Sequence, residues 1–278
     1  MESRQNLKNK GVTKELLDEQ SPALLKELHL LTRDGDLNAD ARRKLKQVNH
    51  LYNLIKPSLD DLFNRFEDLT ILDVGAGKAY LGFILYELCL KNRDFGKILS
   101  VEERKDLVQK GRETASRLGF TRMDFIEAPI ADFTGPSHIH LLTALHACDT
   151  ATDDALLSGI KSEAEYIAVV PCCQAEVAEL LKKEKRTNFS ELWRHGIHRR
   201  EFGSHLTNVI RSLVLESKGY SVTVTELVGW EHSLKNELIL AKKVQKTNPM
   251  AEGRLRETLE QIKVRPKLIC ALYPDFVQ

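Results

Sequence analysis

The segment from Ile71 to Leu81 constrains the fold of this chain more than any other. An apolar run ends at Asp73-Val74, a Gly-Ala-Gly turn follows, and an apolar-periodic stretch then extends to about residue 90. Such a succession predicts a buried strand, a tight turn and a helix. Glycines at the turn let the backbone approach a ligand closely, and the N-terminus of the helix offers free N–H groups.

The residues around the turn limit which ligand it can bind. A carboxylate at Asp73 would repel a pyrophosphate but suits a cationic amino group. The third glycine of the dinucleotide-binding pattern is also missing, because Tyr80 stands two residues after Lys78 where that pattern needs a glycine. The sequence therefore favours a ligand with a cationic amino group, while another nucleotide or a purely structural turn stays an alternative.

From Leu69 onward, strand patterns alternate with amphipathic helical patterns. The predicted strands are 70–74, 97–102, 123–127, 139–145, 165–170, 221–228 and 236–242. The predicted helices are 79–91, 104–118, 151–161, 174–184 and 205–218. This alternation predicts an α/β fold with a mostly parallel sheet between helices, and the short link between the last two strands predicts an antiparallel ending.

The segments on either side of the alternating region differ from it. Residues 1–68 show no strand pattern, and their helical signals predict an N-terminal helical cap. These signals cover 13–20, 22–31 and 38–66, with a break or kink expected at Pro57. We therefore predict a cap at 1–68, a main domain at 69–243, and a linker, helix and tail at 244–278.

Composition excludes several classes of protein. The formal net charge of +1 gives no overall field that would attract nucleic acid. No apolar run approaches membrane-spanning length, and the polar N-terminal residues are unlike a secretory signal. The chain has five cysteines, an odd number, and two of them are adjacent, which fits a reducing compartment. We expect a cytoplasmic protein that does not enter a membrane.

The second predicted strand also ends in an acid, Glu102. A carboxylate at this point can accept hydrogen bonds from both hydroxyls of a ribose, because it has several lone-pair sites and no donor. The alternative is a solvated strand end. With the glycine turn, Glu102 indicates a ligand that contains a nucleoside.

Histidine and cysteine side chains follow the fourth and fifth predicted strands. His146 and Cys148 come after the fourth, and Cys172 and Cys173 after the fifth. Because ligands of open parallel sheets bind at the carboxyl ends of the strands, we expect these side chains to lie together. Three interpretations remain open: His146 as a general base with the cysteines beside it, a zinc site, or apolar cysteines with a structural histidine.

Two further polar sets have no assigned chemistry. Asp149, Thr152 and Asp153 lie at the start of the helix after the fourth strand, where capping of that helix is expected. His205, Asn208 and Arg211 fall on one face of the next long helix, where they reach the site or solvate the helix.

These motifs resemble those of a known family. Asp-Val-Gly-Ala-Gly-Lys-Ala-Tyr-Leu at 73–81 resembles the first motif of class I methyltransferases that use S-adenosylmethionine (SAM). Leu-His-Ala-Cys-Asp-x-Ala-Thr-Asp at 145–153, with Pro-Cys-Cys at 171–173, resembles one group of them. That group includes the glutathione S-transferase C-terminal domain-containing protein, methyltransferase-like proteins and, more distantly, tRNA 2′-O-methyltransferases. The resemblance covers about residues 42–242.

The resemblance implies a Rossmann-like, seven-stranded class I sheet and SAM as the cofactor. It implies that the glycine turn holds the methionine part, that Glu102 holds the ribose, and that Ile130 packs on the adenine with Asp132 as the nearby acid. The cofactor-binding residues implied are Asp73, Gly75, Gly77, Lys78, Tyr80, Glu102, Ile130, Asp132 and His146. From their place after the fourth and fifth strands we predict His146, Cys148 and Cys172 as the catalytic residues, and no metal is assigned.

The methyl acceptor is less constrained by the sequence. The Asn/Asp-Pro-Pro-Tyr motif of enzymes that methylate exocyclic amines is absent, and the resemblance to tRNA enzymes implies an RNA hydroxyl. Basic runs at 42–46 and 182–200, the second with Phe189 and Trp193, suit phosphate contact and base stacking, although solvated helix faces would show the same pattern. We predict an RNA acceptor. A small molecule, a protein or a non-catalytic binding module are the alternatives.

Overall fold

The computed structural model describes residues 15–32, 34–145, 147–171, 174–184, 189–227 and 237–276. The strands in these ranges are β1 Thr70–Val74, β2 Lys97–Glu102, β3 Met123–Glu127, β4 Leu141–Leu145, β5 Tyr166–Val170, β6 Tyr220–Glu226 and β7 Glu237–Lys243. Their order in the sheet is β3-β2-β1-β4-β5-β7-β6. The predicted seven-stranded α/β sheet is thereby confirmed.

The directions of the strands also agree with the prediction. β1 pairs in parallel with β2, β2 with β3, and β4 with β5. β7 runs antiparallel to both β5 and β6, which confirms the antiparallel ending. Both β1 and β5 are buried along their whole length, as strands of a sheet covered on both faces are.

The helices of the first half of the chain are α1 Pro22–Glu27, α2 Ala39–Arg65, α3 Tyr80–Leu85 and α4 Lys105–Leu118. A π-helical turn at Tyr86–Leu90 continues α3, and a 3₁₀ turn at Ile130–Asp132 follows β3. The helices of the second half are α5 Thr150–Lys161, α6 Glu176–Lys183, α7 Gly196–Ser217, α8 Pro249–Ile262 and α9 Lys267–Leu272, with a 3₁₀ turn at Ser190–Trp193. None of the helices described is long and apolar enough to cross a membrane.

The described residues fall into two compact units. The first unit contains those up to Phe133, with β1–β3 and α1–α4, together with Leu227. The second unit contains those from Thr134 to Glu226 and from Glu237 onward, with β4–β7 and α5–α9. The predicted cap helices thus belong to the same unit as β1–β3. The domain boundaries at residues 68 and 243 stay predictions.

Helix α2 is the long helix of the predicted cap. Asn38 accepts a hydrogen bond from the N–H of Ala41 at 2.8 Å and so begins the helix. Buried apolar side chains, Leu45, Leu51, Ile55, Leu59 and Leu62 among them, form one face at helical spacing. The helix continues through Pro57, so the predicted break is wrong. A proline removes one backbone donor, and burial of the helix on both sides of it holds the turn.

Other predicted helix bounds also need correction. Residues 15–20 form turns instead of a helix, because the Gln20 side chain accepts from the N–H of Leu17 and donates to Asn49 at 2.7 Å. The helix expected over 22–31 ends at Glu27. The helix expected over 205–218 already begins at Gly196, in a stretch of basic residues that has no apolar period.

A buried carboxylate joins the N-terminal segment to the helix after β1. Glu87, in the π-helical turn, accepts from the N–H of Ser21 at 3.0 Å and from its hydroxyl at 2.5 Å. The same hydroxyl accepts from the N–H of Leu24 at 3.2 Å and caps α1. This contact fixes the start of α1 on the first unit.

The C-terminal segment packs on helices of the second unit. The N–H of Lys267 donates to Glu176 at 2.7 Å, and the ammonium of Lys267 lies 2.7 Å from Asp154. Residues 267–272 are thus attached to both α5 and α6. No pattern in the sequence indicated this attachment.

Close packing of α4 on β3 depends on a glycine. A Cβ added at Gly111 would lie within 2.8 Å of three ring atoms of Phe125, which is buried and lies beside Phe83. Gly111→Ala should therefore lower the free energy of unfolding by about 1–3 kcal/mol through overpacking, measured by urea denaturation.

Gly253 of α8 provides the matched control, because an added Cβ there meets nothing within 4 Å. Gly253→Ala should raise the free energy of unfolding by about 0.5–1 kcal/mol, since alanine loses less backbone entropy in a helix. Equal effects of the two substitutions would contradict the packing argument.

Candidate active site

The turn after β1 has the backbone conformation that its glycines permit. Gly75 and Gly77 have φ values of 62° and 58°, and Ala79, which precedes α3, also lies in the left-handed region at 53°. A Cβ added at Gly77 would meet nothing within 4 Å. The backbone of the turn therefore borders open space into which a ligand can fit without displacing a side chain.

The carboxylate of Glu102 is held against this turn. One oxygen accepts from the N–H of Gly77 at 2.8 Å, and the other accepts from the N–H of Arg104 at 3.0 Å. Glu102 is only 9% exposed, and the carboxylate lies in one fixed orientation. About two of its four lone-pair sites remain for hydroxyl donors such as those of a ribose.

Asp73 is more deeply buried in the protein than the glycine turn that follows it. It is 2% exposed and pairs in register with Ser100 of β2. One carboxylate oxygen of Asp73 lies 3.3 Å from the position that a Cβ on Gly82 would take. The missing side chain at Gly82 thus makes room for the carboxylate under α3. The glycine inside a predicted helix was the signal for this, and sequence reasoning did not use it.

The remaining cofactor candidates of the first unit lie on two elements. Lys78 is exposed and Tyr80 half-buried, and both line a cleft of about 290 Å³ that α4 also borders. Ile130 is half-buried and Asp132 exposed in the 3₁₀ turn after β3. That segment is attached to β2, because the N–H of Ala128 donates to the carbonyl of Glu102 at 3.1 Å.

Residues 43–180 match the family model described as "Methyltransferase domain". These residues, 138 of the 278, carry a methyltransferase domain. Two features of the first unit fit SAM as the cofactor of such a domain. The turn after β1 offers open space beside its backbone, and Glu102 offers unused acceptor sites.

The chain is similar to longer curated proteins. It is 25% identical over 238 residues to the glutathione S-transferase C-terminal domain-containing protein of Xenopus laevis, covering 76% of this chain and 36% of that protein. The chain is 26% identical over 235 residues to the protein of the same name from Homo sapiens, and the match covers 75% of this chain and 34% of that protein. The chain therefore spans about a third of the length of these relatives.

Solved methyltransferase structures are similar in fold. One is magnesium protoporphyrin IX methyltransferase from Synechocystis with bound S-adenosyl-homocysteine (SAH), which is 11% identical in sequence. The match has a TM-score of 0.48 and covers 80% of this chain and 93% of that one. This similarity concerns the fold alone.

On the second unit of the methyltransferase, the ends of β4 and β5 lie level, because Leu145 pairs with Val170. Cys148, which follows β4, is exposed. His146, Cys172 and Cys173 lie outside the described residues. The three interpretations of this cluster, and the catalytic roles of His146, Cys148 and Cys172, stay predictions.

A buried ion pair lies behind these strand ends. The guanidinium of Arg211 in α7, a side chain 1% exposed, donates to Asp153 of α5 at 2.7 Å. It also donates to the backbone carbonyl of Asp149 at 2.7 Å and to the side-chain oxygen of Asn208 at 3.2 Å. Burial raises the pKa of Asp153, and the guanidinium of Arg211 opposes that rise.

This ion pair corrects the capping expectation for α5. Asp153 pairs with Arg211, and the hydroxyl of Thr152 donates to the carbonyl of Ala147 at 2.6 Å. Neither side chain therefore caps α5, because Asp153 compensates a buried charge and Thr152 bonds a backbone carbonyl instead. Asn208 donates to Glu237 at 2.8 Å, so α7 contacts the start of β7 as well.

The first basic run is balanced by acids. Arg42 and Lys46 lie 3.7 and 3.6 Å from Glu15, and Arg43 and Lys44 lie 2.8 and 2.7 Å from Asp40. These ion pairs favour the solvated-face interpretation for residues 42–46.

The described basic residues of the second run, 182–184 and 189–200, are mostly exposed, and Lys182 and Arg194 among them lie 3.8 and 3.3 Å from Glu179 and Glu191. Trp193 is buried, donates to the carbonyl of Glu184 at 3.1 Å and stacks on Phe202, so it is a core residue and not a stacking surface. Phe189 is 42% exposed. Lys183 and Arg200 are exposed, and no carboxylate of the described part of the chain lies within 4.0 Å of them.

The ion pair between Arg211 and Asp153 should determine the stability of the second unit. Asp153→Ala leaves a buried guanidinium without its counter-charge and should cost about 3–5 kcal/mol of unfolding free energy. The double variant Asp153→Leu/Arg211→Met removes both charges and should cost less than half as much. Urea denaturation followed by circular dichroism measures both, and a loss under about 1 kcal/mol for Asp153→Ala alone would refute the assignment.

Proposed function

We propose that the protein transfers the methyl group of SAM to an RNA acceptor. The observation that carries the cofactor part is the Glu102 carboxylate, which the Gly77 N–H orients beside an open glycine turn. The observation that favours RNA is the exposed basic and aromatic segment around Phe189 and Arg200. When bound, SAM supplies an electrophilic methyl group on a sulfonium.

The residues of the first unit bind and orient the cofactor in this proposal. Gly75 and Gly77 allow the backbone to approach the methionine part, and Asp73 lies beneath this turn as the acid for its amino group. Glu102 accepts from the ribose hydroxyls with its two remaining lone-pair sites. Lys78 and Tyr80 border the turn, and Ile130 and Asp132 contact the adenine.

The residues after β4 and β5 act on the acceptor. His146 would take the proton of the acceptor hydroxyl, so that its oxygen could accept the methyl group that SAM would supply. Most of the rate enhancement comes from holding the acceptor oxygen in line with the methyl group. Cys148 and Cys172 are the other catalytic residues in this proposal.

The RNA part of the proposal depends on charge and stacking. Lys183 and Arg200 supply cations for phosphates, and Phe189 supplies the ring on which a base can stack. Because Trp193 is buried, only one of the two aromatic side chains singled out in the sequence is available. Residues 42–46 take no part, because Glu15 and Asp40 balance their charge.

Gly77→Ala tests the cofactor site. The added methyl group enters the space next to the turn and should weaken binding of SAH at least about tenfold, measured by calorimetry. The left-handed backbone should also cost about 1 kcal/mol of stability. Gly119→Ala is the control, because Gly119 has φ 70° and equally open surroundings at the end of α4, away from the turn. Equal SAH affinity in the two variants would contradict the site.

Transfer of label tests the acceptor. Tritiated SAM is incubated with protein and with RNA, protein and metabolite fractions from cells that lack this chain. We expect nuclease-sensitive label in the RNA fraction. Label that appears only in protein or in small molecules would replace the RNA acceptor by that class, and SAH binding without any transfer would indicate a non-catalytic module.

Charge variants test the RNA-binding surface. Their affinity for the RNA fraction that accepts label is measured at several salt concentrations. Lys183→Ala/Arg200→Ala should weaken RNA binding and lower the slope of log affinity against log salt by about 0.7–0.9 for each phosphate that the variant no longer neutralises. Arg42→Ala/Arg43→Ala removes the same charge from residues that already pair with acids, and should change the slope little. Equal slopes for the two double variants would exclude the 182–200 surface as the RNA-binding face.

A further inference from the structure

The segment after β4 and the segment after β5 are joined by one residue, Asp149. Its carboxylate accepts from the N–H groups of Ala175 and Glu176 at 3.0 and 3.3 Å. These amides begin α6, so an acid that precedes α5 in the chain caps the neighbouring helix. The bond links residues 147–149 to residues 174–176.

The backbone of Asp149 is strained. Its φ of 49° and ψ of −120° form a combination that L-residues rarely adopt. Such a conformation persists only where the surroundings determine it fully. Here the carboxylate is bound to α6, and the backbone carbonyl accepts from Arg211 at 2.7 Å. Asp149 is therefore held at both its side chain and its main chain.

Arg211 is suited to this task by its planar fork of donors. Its Nε donates to Asp153, one terminal nitrogen to the Asp149 carbonyl, and the other to Asn208. A lysine has one nitrogen on a flexible stem and cannot reach three acceptors in these fixed directions. The buried Asp153 orients the guanidinium and compensates its charge.

A second connection runs from α7 to the segment after β5. Gln174 is buried, donates to Asn208 at 3.4 Å and accepts from the hydroxyl of Ser204 at 2.7 Å. Asn208 in turn accepts from Arg211. Helix α7 thus contacts the segments after β4 and β5 through one continuous set of buried hydrogen bonds.

We infer that Arg211 is a positioning residue that, through Asp149, fixes the segments after β4 and β5 relative to each other. This inference rests on the proposed function, in which these segments carry His146, Cys148 and Cys172. Arg211 itself is buried and acts only through Asp149 and Asn208. A loose arrangement of the two segments misplaces the acceptor, and misplacement of about 1 Å can lower a rate about a hundredfold.

The test compares Arg211→Lys, Asp149→Ala and Asp149→Asn in the full chain. Asparagine keeps a side-chain oxygen that can accept from Ala175 and tolerates a positive φ, whereas alanine removes the acceptor. The control is Arg122→Lys. Arg122 donates to the carbonyls of Leu90 and Gly96 at 2.7 Å, at the amino end of β3, and is a richly bonded arginine remote in sequence from both segments.

The first measurement is amide hydrogen exchange without any ligand. Arg211→Lys and Asp149→Ala should raise exchange at least about tenfold in peptides that cover 147–153 and 174–178. Asp149→Asn and Arg122→Lys should leave exchange in these peptides near that of the unchanged protein. If Arg211→Lys and Arg122→Lys give the same pattern there, the inference is wrong.

The second measurement is methyl transfer from tritiated SAM to the fraction that accepts label. Arg211→Lys and Asp149→Ala should lower kcat at least about tenfold. The KM for SAM and the affinity for SAH should stay within about twofold, since Gly77 and Glu102 lie on other elements. Asp149→Asn should keep most of the kcat of the unchanged protein. Faster exchange with an unchanged kcat would overturn the positioning role.

The two proposals fail separately. If the unchanged protein binds SAH but transfers no methyl group to any fraction, the proposed function falls. The exchange patterns then decide alone whether Arg211 fixes the two segments.

Discussion

The arrangement of the second unit depends on one buried cation. The guanidinium of Arg211 is buried, so its nitrogens need acceptors inside the protein, and its charge needs a counter-charge. Asp153, the carbonyl of Asp149 and the amide of Asn208 supply these acceptors from α5, the segment after β4 and α7. Because an unpaired buried charge is costly, these three elements are held in the arrangement that gives Arg211 its counter-charge and its acceptors.

The first unit uses the same principle with a buried acid. Glu102 satisfies the N–H of Gly77 and of Arg104, which would otherwise lack a partner at a sharp turn. The bonds that stabilise the turn also orient the carboxylate, which keeps unused lone pairs for a ligand. Stability and ligand recognition therefore reside in one side chain. Ligand binding to such an oriented group loses little side-chain entropy.

Polar and charged residues in the sequence predicted their structural roles less well than the apolar runs predicted the strands. The bounds of β1 and β2 agree with their apolar runs, because a strand buried on both faces requires a series of such residues. The strand β3, in which Asp124 and Glu127 are exposed, also keeps its predicted bounds. Trp193 and the basic run at 42–46 carry the same sequence signal as residues of a binding surface. Trp193 is a core residue. In the basic run, Arg43 and Lys44 pair with Asp40 at helical spacing, whereas Arg42 and Lys46 lie near Glu15, which is distant in the chain. Long-range partners of this kind are chosen by tertiary proximity, which local spacing does not encode.

The sequence by itself determined the α/β class, the antiparallel ending, the glycine turn and the acid at the end of β2. These follow from local requirements: apolar runs for buried strands, and glycine where φ is positive at the turn. The tertiary structure decided the partners of the long-range polar groups. Arg211 meets Asp153 across 58 residues of chain, and Asp149 caps the helix after β5 instead of the one that follows it. Such pairs form because burial removes water as the competing partner, and only the packed fold determines which groups are buried together.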